Sequence, residues 1–267
     1  MMGAYRVRPG RPIRLRDIDP DDTGGFPDKE AARASLAADL ERLRERQKLL
    51  YADGRHALLV VLQAMDTGGK DGTVRHVLSG LNPVACTVTS FKVPCPHDLA
   101  HDYLWRIHRE VPARGVIGVF NRSHYEDVLV VRVHDLVPRD AWKARYQQIN
   151  EFERMLTENG TKIVKFYLHI SKAEQKRRLR ARLADPEKNW KFSEGDLAER
   201  KLWPRYADAY EDAINKCSTE WAPWHIVPAN VKWARDAMVA RVLLEAMDSL
   251  RLRWPKISGR ARKTKIS

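Results

Sequence analysis

The chain has 267 residues, 43% of them hydrophobic and 31% charged, and a formal net charge of +13. This length and composition suit one large globular domain with a sizeable core, and no stretch approaches the ~20 apolar residues that span a bilayer. The start, "MMGAYRVRPGRPIRLRD", has basic residues with no apolar run behind them, so no signal peptide is expected.

After an irregular lead-in, residues 29–52 have helical spacing, with Leu36, Leu40, Leu43, Gln47 and Leu50 on one face and Gly54 as the stop. "HALLVVLQA" is a continuous apolar run of the kind that forms a buried parallel strand. A helix is expected over 70–79, a second strand in "VACTVTSFKV", a helix in "HDLAHDYLWRIHREV" and a third strand in "GVIGVFN". A long helix over about 139–159 shows Trp142, Tyr146, Ile149, Phe152 and Leu156 on one side. Strand four is "TKIVKFYLHI"; helices follow around 172–184 and 196–216, then strand five in "WHIVPA" and a last helix over about 231–252. Alternating strands and helices predict an α/β domain, a parallel β-sheet flanked by helices. One domain over 1–267 is expected, with an irregular segment at 1–28.

The positive charge is unevenly placed. Residues 1–16 hold five arginines and no acid, and residues 251–267 hold seven basic residues and no acid, which leaves about +1 for the rest. Within that body, residues 172–191 carry eight basic and three acidic residues. This concentration predicts a polyanionic partner; the alternative for the two ends, including the tail at 253–267, is a solvated and flexible terminus. Cys86, Cys95 and Cys217 have no metal-binding spacing, and a reducing cytoplasm is the expected compartment.

"LLVVLQAMDTGGKDGTVRHVL" (58–78) runs from a strand through a glycine-rich loop into a helix. That layout aims backbone N–H groups and the helix dipole at one point, where phosphate binds. Gly68 and Gly69 permit close approach. Lys70, a cation placed against the dipole, makes sense if an anion sits between them. The spelling departs from G-x-x-x-x-G-K-[ST]: Ala64 replaces the first glycine and Asp71 the hydroxyl, with Gly72 and Thr73 behind it. Asp66 offers a carboxylate beside the phosphate cradle, for Mg²⁺, for a proton, or simply as a turn former.

"GVIGVFNRSHYEDVLVVRV" delivers Asn121 and Arg122 to the carboxyl edge of the sheet, where open α/β sheets bind ligands. Arg122 suits bidentate phosphate binding. Ser123 to Glu126 fits a capping box, which gives Glu126 a structural alternative; Asp127 is left as a metal or acceptor group.

Four motifs in order, "QAMDTGGKDGT", "GVFNRSHYEDVLV", "DPEKNWKFSEGDL" and "STEWAPWHIVPAN", resemble the polyphosphate kinase 2 family, and its class III subgroup most. The similarity runs through most of residues 5–252. It implies a P-loop kinase fold related to thymidylate kinase, a helical lid (172–200) and a Mg²⁺ requirement. The implied activity is phosphoryl transfer from inorganic polyphosphate to AMP or ADP. By motif, Asp66 matches the family's loop aspartate, assigned to metal binding and base work, and Lys70 and Arg122 match its phosphate-gripping pair. Gly68, Gly69, Asp71, Gly72 and Thr73 complete the phosphate loop, and Arg177, Arg178 and Arg182 fall in the basic lid, as polyphosphate contacts. Asn121, Glu126 and Asp127 are expected near the acceptor, with Asp66 and Asp127 as metal ligands. Many family members carry Asp where this chain has Asn121. The implied partners are polyphosphate and adenine, or guanine, nucleotides, with no membrane and no specific nucleic acid, in a homo-oligomer such as a tetramer. Two alternatives remain on the residues alone. One is an ATP-dependent nucleoside monophosphate kinase, against which Asp71 speaks; the other is a non-catalytic polyanion binder, against which Asp66 and Asp127 speak.

Overall fold

In the computed structural model, which describes residues 5–257 and 259, the apolar runs form one parallel sheet. Along the chain, α1 (Lys29–Asp53) leads into β1 (Ala57–Ala64), α2 (Lys70–Val77), β2 (Cys86–Ser90) and two single turns, α3 (Pro96–Leu99) and α4 (Trp105–His108). β3 (Ile117–Asn121) is followed by a 3₁₀ turn at His124–Val128, α5 (Val130–Val133) and α6 (Arg139–Glu158). Then come β4 (Thr161–His169), α7 (Lys172–Ala184), α8 (Glu194–Lys201), α9 (Trp203–Cys217), β5 (Trp224–Pro228) and α10 (Lys232–Asp248).

The strand order is β2-β3-β1-β4-β5, with every pairing parallel. β1 lies at the centre and all eight of its residues are buried, as a strand covered by helices on both faces must be. α1 and α10 pack together as one layer, and α6 with α9 as another. The five apolar residues expected on one face of α6 are all buried. Because β1 and β3 are neighbours, Leu62 faces Asn121 and the Arg122 N–H donates to the Leu62 carbonyl at 3.0 Å. The two loops carrying the expected site residues therefore leave the sheet side by side.

The N-terminal segment is docked rather than loose. Val7 N–H donates to the Trp224 carbonyl at 2.8 Å and Ile226 N–H to Tyr5 at 2.9 Å, which covers the free edge of β5. Burying Leu15 anchors it further. For the described part of 1–28 this speaks against the alternative of a solvated, flexible end. Most of the basic tail at 253–267 lies outside the described residues.

Two helices were expected longer than they are. "HDLAHDYLWRIHREV" forms two separate turns, because the Asp102 carboxylate accepts from Leu104 N–H at 3.0 Å and satisfies it locally. The helix expected over 196–216 is two, α8 and α9, since Pro204 can sit only in the first turn of a new helix.

His225 on β5 gives a pH test of this core. Burial holds its imidazole down to about 4, from an ordinary value of 6.5. Above pH 6.5 the ring is neutral folded or unfolded. As pH falls from 6.5 towards 4 the unfolded chain takes the proton first, so stability should drop by about 3 kcal/mol over that window. Urea unfolding of wild type and His225→Asn at pH 7.5 and 4.5 checks this: the variant should lose less between the two. Parallel losses would place the acid sensitivity elsewhere.

Candidate active site

The loop after β1 has the backbone that its glycines imply. A Cβ on Gly68 would strike the Ala64 side chain and come within 2.8 Å of the Met65 carbonyl. Gly69 has φ of 104°, where side chains are strained. Lys70 opens α2 half-buried, its ammonium donating to the Ala64 carbonyl at 3.1 Å. Burial, and then the nearby Arg122 charge, lower its pKa. The Arg122 charge thus weighs on Lys70, and an anion bound at the loop would offset it.

Arg122 stands at φ 62°, an uncommon conformation for a non-glycine residue that costs of order 1–3 kcal/mol. Its guanidinium meets Asp66 at 3.1 Å and Glu126 at 4.0 Å. Burial works against its charge, but Glu126 and Asp66 outweigh that and the arginine stays firmly protonated. Glu126 is not part of a reciprocal cap: Ser123 Oγ accepts from Tyr125 N–H at 3.2 Å, and the Glu126 carboxylate turns into the cleft. Burial raises its pKa despite Arg122 and Lys70. Asp66, Arg122 and Glu126 help to line a cavity of about 250 Å³.

The turn carrying these groups is fastened from below by a buried polar cluster. Lys165 donates to Glu153, to the Tyr125 hydroxyl at 2.7 Å and to the Cys217 carbonyl at 2.7 Å. His124 Nε2 lies 3.2 Å from the same Glu153. Burial alone would raise the Glu153 pKa, but Lys165 and His124 bring it down, so the carboxylate is ionised. The pleat of β4 puts Lys165 inside, and the sequence alone disguised it as one lysine in an apolar strand.

Other expected residues have different work. Asn121 Nδ2 donates to Asp71 at 2.8 Å, so Asp71 ties the start of α2 to the end of β3. Thr73 Oγ1 is buried with no hydrogen-bond partner among the described residues. Asp127 points away from Asp66: Arg145 reaches both its carboxylate and its carbonyl at 3.0 Å. Burial nevertheless raises its pKa to about 6. Asp127, expected as a metal ligand, thus sits with Arg145 and does not line the cavity that Asp66 and Glu126 share.

The largest correction concerns Arg178, expected on an open lid face. It is 8% exposed. Its guanidinium donates to the Thr67 carbonyl at 3.0 Å, to the Ala229 and Asn230 carbonyls, and to Glu174 at 2.6 Å. Arg178 braces the phosphate loop from behind. Arg177 stays exposed beside Glu174, and Arg182 reaches Asp196 at 3.3 Å. Arg178→Ala is expected to cost about 3–5 kcal/mol in urea unfolding, as breaking a buried pair does. A change within ~0.5 kcal/mol, typical of a surface site, would mean that the brace contributes nothing.

Several contributors carry no motif. Gln175 Nε2 donates to the Asp66 carbonyl at 3.0 Å, and the Tyr210 hydroxyl to the Ala64 carbonyl at 3.0 Å. Arg235, 1% exposed, lies where a Gly69 Cβ would fall, and pairs with Asp236, which is 2.8 Å from His76 Nδ1. These residues come from α7, α9 and α10, far along the chain. Tyr210 and Arg235 stand among the buried residues of their helices, whereas Gln175 stands on the charge-rich α7, where nothing in the sequence marks it.

The family model described as Polyphosphate kinase 2 matches residues 27–253. An AMP/ADP-polyphosphate phosphotransferase of Meiothermus ruber is 54% identical over 256 residues, covering 96% of each chain. An ADP-polyphosphate phosphotransferase of Rhodopseudomonas palustris is 46% identical, covering 97% of this chain and 94% of that protein. A crystal structure of polyphosphate kinase 2 from Arthrobacter aurescens TC1 superposes with a TM-score of 0.92 at 49% identity, covering 97% and 94%. With its parallel sheet, phosphate loop and paired Lys70 and Arg122 in that frame, the chain belongs to the polyphosphate kinase 2 family.

Proposed function

We propose that this protein transfers phosphoryl groups from inorganic polyphosphate to AMP and ADP. The observation that carries the reading is the proximity of Lys70 and Arg122 at the phosphate loop, opposite the carboxylates of Asp66 and Glu126. Such transfer depends on positioning and charge neutralisation more than on covalent chemistry. The loop and Lys70 hold the phosphoryl group in flight, and Arg122 bridges towards the acceptor. The activities for which the Meiothermus and Rhodopseudomonas relatives are named point the same way.

Mg²⁺ suits this donor set. The ion is held by one or two carboxylates with substrate phosphates completing its shell, and Asp66 and Glu126 are oxygen donors open to the cavity. Among the described residues no group of three or more metal-ligating side chains occurs, so tight binding of the ion would depend on the phosphates. When bound, it neutralises phosphate charge.

Long polyphosphate would meet Arg177 and Arg182 on the lid, with Arg178 acting through the loop. Arg178→Ala should therefore lower the use of long polyphosphate, short polyphosphate and ATP by a common factor. The deciding experiment incubates pure protein with Mg²⁺, AMP or ADP, and either polyphosphate or ATP as donor, and follows the nucleotides by chromatography. Preference for ATP over polyphosphate would replace this reading with a nucleoside monophosphate kinase. No helix among the described residues is long and apolar enough to cross a membrane. A cytoplasmic homo-oligomer is the remaining part of the proposal.

A further inference from the structure

The cavity lined by Asp66, Arg122 and Glu126 is also lined by Glu199 from α8 and by Trp203 and Tyr206 from α9. Glu199 is an acid in a cleft built to take anions, and its setting is unusually well defined. The Tyr206 hydroxyl donates to Oε2 at 2.6 Å, and His134 Nε2 lies 3.0 Å from Oε1. Burial and the Glu199 charge raise the Tyr206 pKa, so the phenol remains a donor at neutral pH. His134 Nε2 also lies 3.1 Å from Oε2, so the carboxylate is fixed in orientation, with Oε2 met by both partners and Oε1 keeping a lone pair for a ligand.

A carboxylate only accepts hydrogen bonds, and it repels phosphate. The groups of a nucleotide that it can bind are the ribose hydroxyls and the amino and imino groups of a base. Size separates these two. At about 250 Å³ the cavity falls below the ~300–1,000 Å³ that encloses a whole drug-sized ligand. With the acceptor phosphate at Arg122, the sugar is the next group along the nucleotide, and a cavity of this size leaves the base beyond its enclosed part. Acidic side chains bind ribose diols in just this way in dinucleotide sites.

We infer that Glu199 accepts a hydrogen bond from the ribose 2′-hydroxyl of the acceptor nucleotide and so selects ribonucleotides over 2′-deoxynucleotides. Tyr206 and His134 are positioning residues for that carboxylate. The inference rests on the acceptor reading proposed above. A purely structural role is the competing account, since the same contacts tie the lid helix α8 to the end of α5.

The test compares kcat/KM for AMP and 2′-deoxy-AMP, with polyphosphate as donor, in wild type and Glu199→Ala. Wild type should prefer AMP by about tenfold, the scale of one hydrogen bond to a charged group. Glu199→Ala should lower AMP use by a similar factor, mostly through KM, and leave 2′-deoxy-AMP use within about twofold. Equal use of the two acceptors by wild type would overturn the inference while leaving the kinase reading intact. So would a variant that loses both acceptors in equal proportion, the result expected of a strut. Absence of any transfer to AMP or ADP in wild type would remove the acceptor reading itself, and this inference with it. Should Glu199→Ala fail to fold, Tyr206→Phe keeps the carboxylate but frees it to turn, and its AMP preference should fall by at least threefold; an unchanged ratio would count against the inference.

Discussion

Lys70→Ala is expected to lower kcat for transfer from polyphosphate by about 10²–10³, the loss seen when one preorganised charge is removed from a transition state. The ammonium sits at the start of α2, half-buried and held by the Ala64 carbonyl. Because burial and Arg122 already lower its pKa, the charge is a burden to the ligand-free fold. The same substitution should therefore leave the urea midpoint unchanged or raise it. Lost activity with intact or improved stability identifies a residue placed for chemistry. A parallel fall in stability would instead make Lys70 a structural tie.

Asp66→Asn should cost about 10²-fold in kcat, with polyphosphate binding retained. Two roles remain open for this carboxylate, metal ligand and base, and physical chemistry favours the first. An acceptor phosphate loses its second proton near pH 6, so at pH 8 it needs no base. If Asp66 holds the ion, the variant's loss should be the same at pH 7 and pH 8.5. The Mg²⁺ concentration giving half-maximal rate should also rise. A loss that disappears at high pH, with unchanged Mg²⁺ dependence, would return Asp66 to proton transfer. Since Asp66 also pairs with Arg122 at 3.1 Å, the Asn variant frees that arginine, which is a further reason for donor binding to survive.

The sheet was legible because buried parallel strands are written as continuous apolar runs, which no helix of that length produces between glycines. Asp66, Lys70 and Arg122 were expected together because each lies on the segment that leaves the carboxyl end of β1 or β3, and the carboxyl ends of neighbouring strands must converge. Arg178 was misplaced for a physical reason. On a helix carrying arginines at 177, 178, 180 and 182, charge periodicity cannot say which one turns inward, and only the proximity of Thr67 and Asn230 decides it. Arg235, Gln175, Tyr210 and Glu199 were missed because each reaches the site alone, from helices that converge only in the folded chain. Asp127 misled because its neighbour Glu126 faces the cleft, whereas Asp127 itself is claimed by Arg145, eighteen residues later.

The attachment of α7 to the phosphate loop through Gln175 and Arg178 has a kinetic consequence. A helix bolted to the loop at its second turn cannot swing as a unit when substrates enter. If the segment 172–200 moves as the lid expected from the resemblance, it would pivot farther on, between Asp185 at the end of α7 and the 3₁₀ turn at Asn189–Lys191. Amide hydrogen exchange should accordingly divide the segment in two. The amides around Gln175–Leu179 should exchange as slowly as β1, as part of one cooperative unit, while those from Glu187 to Gly195 should exchange orders of magnitude faster and slow down when polyphosphate is added. The catalytic loop would then keep its shape through every turnover while only the far half of the lid breathes.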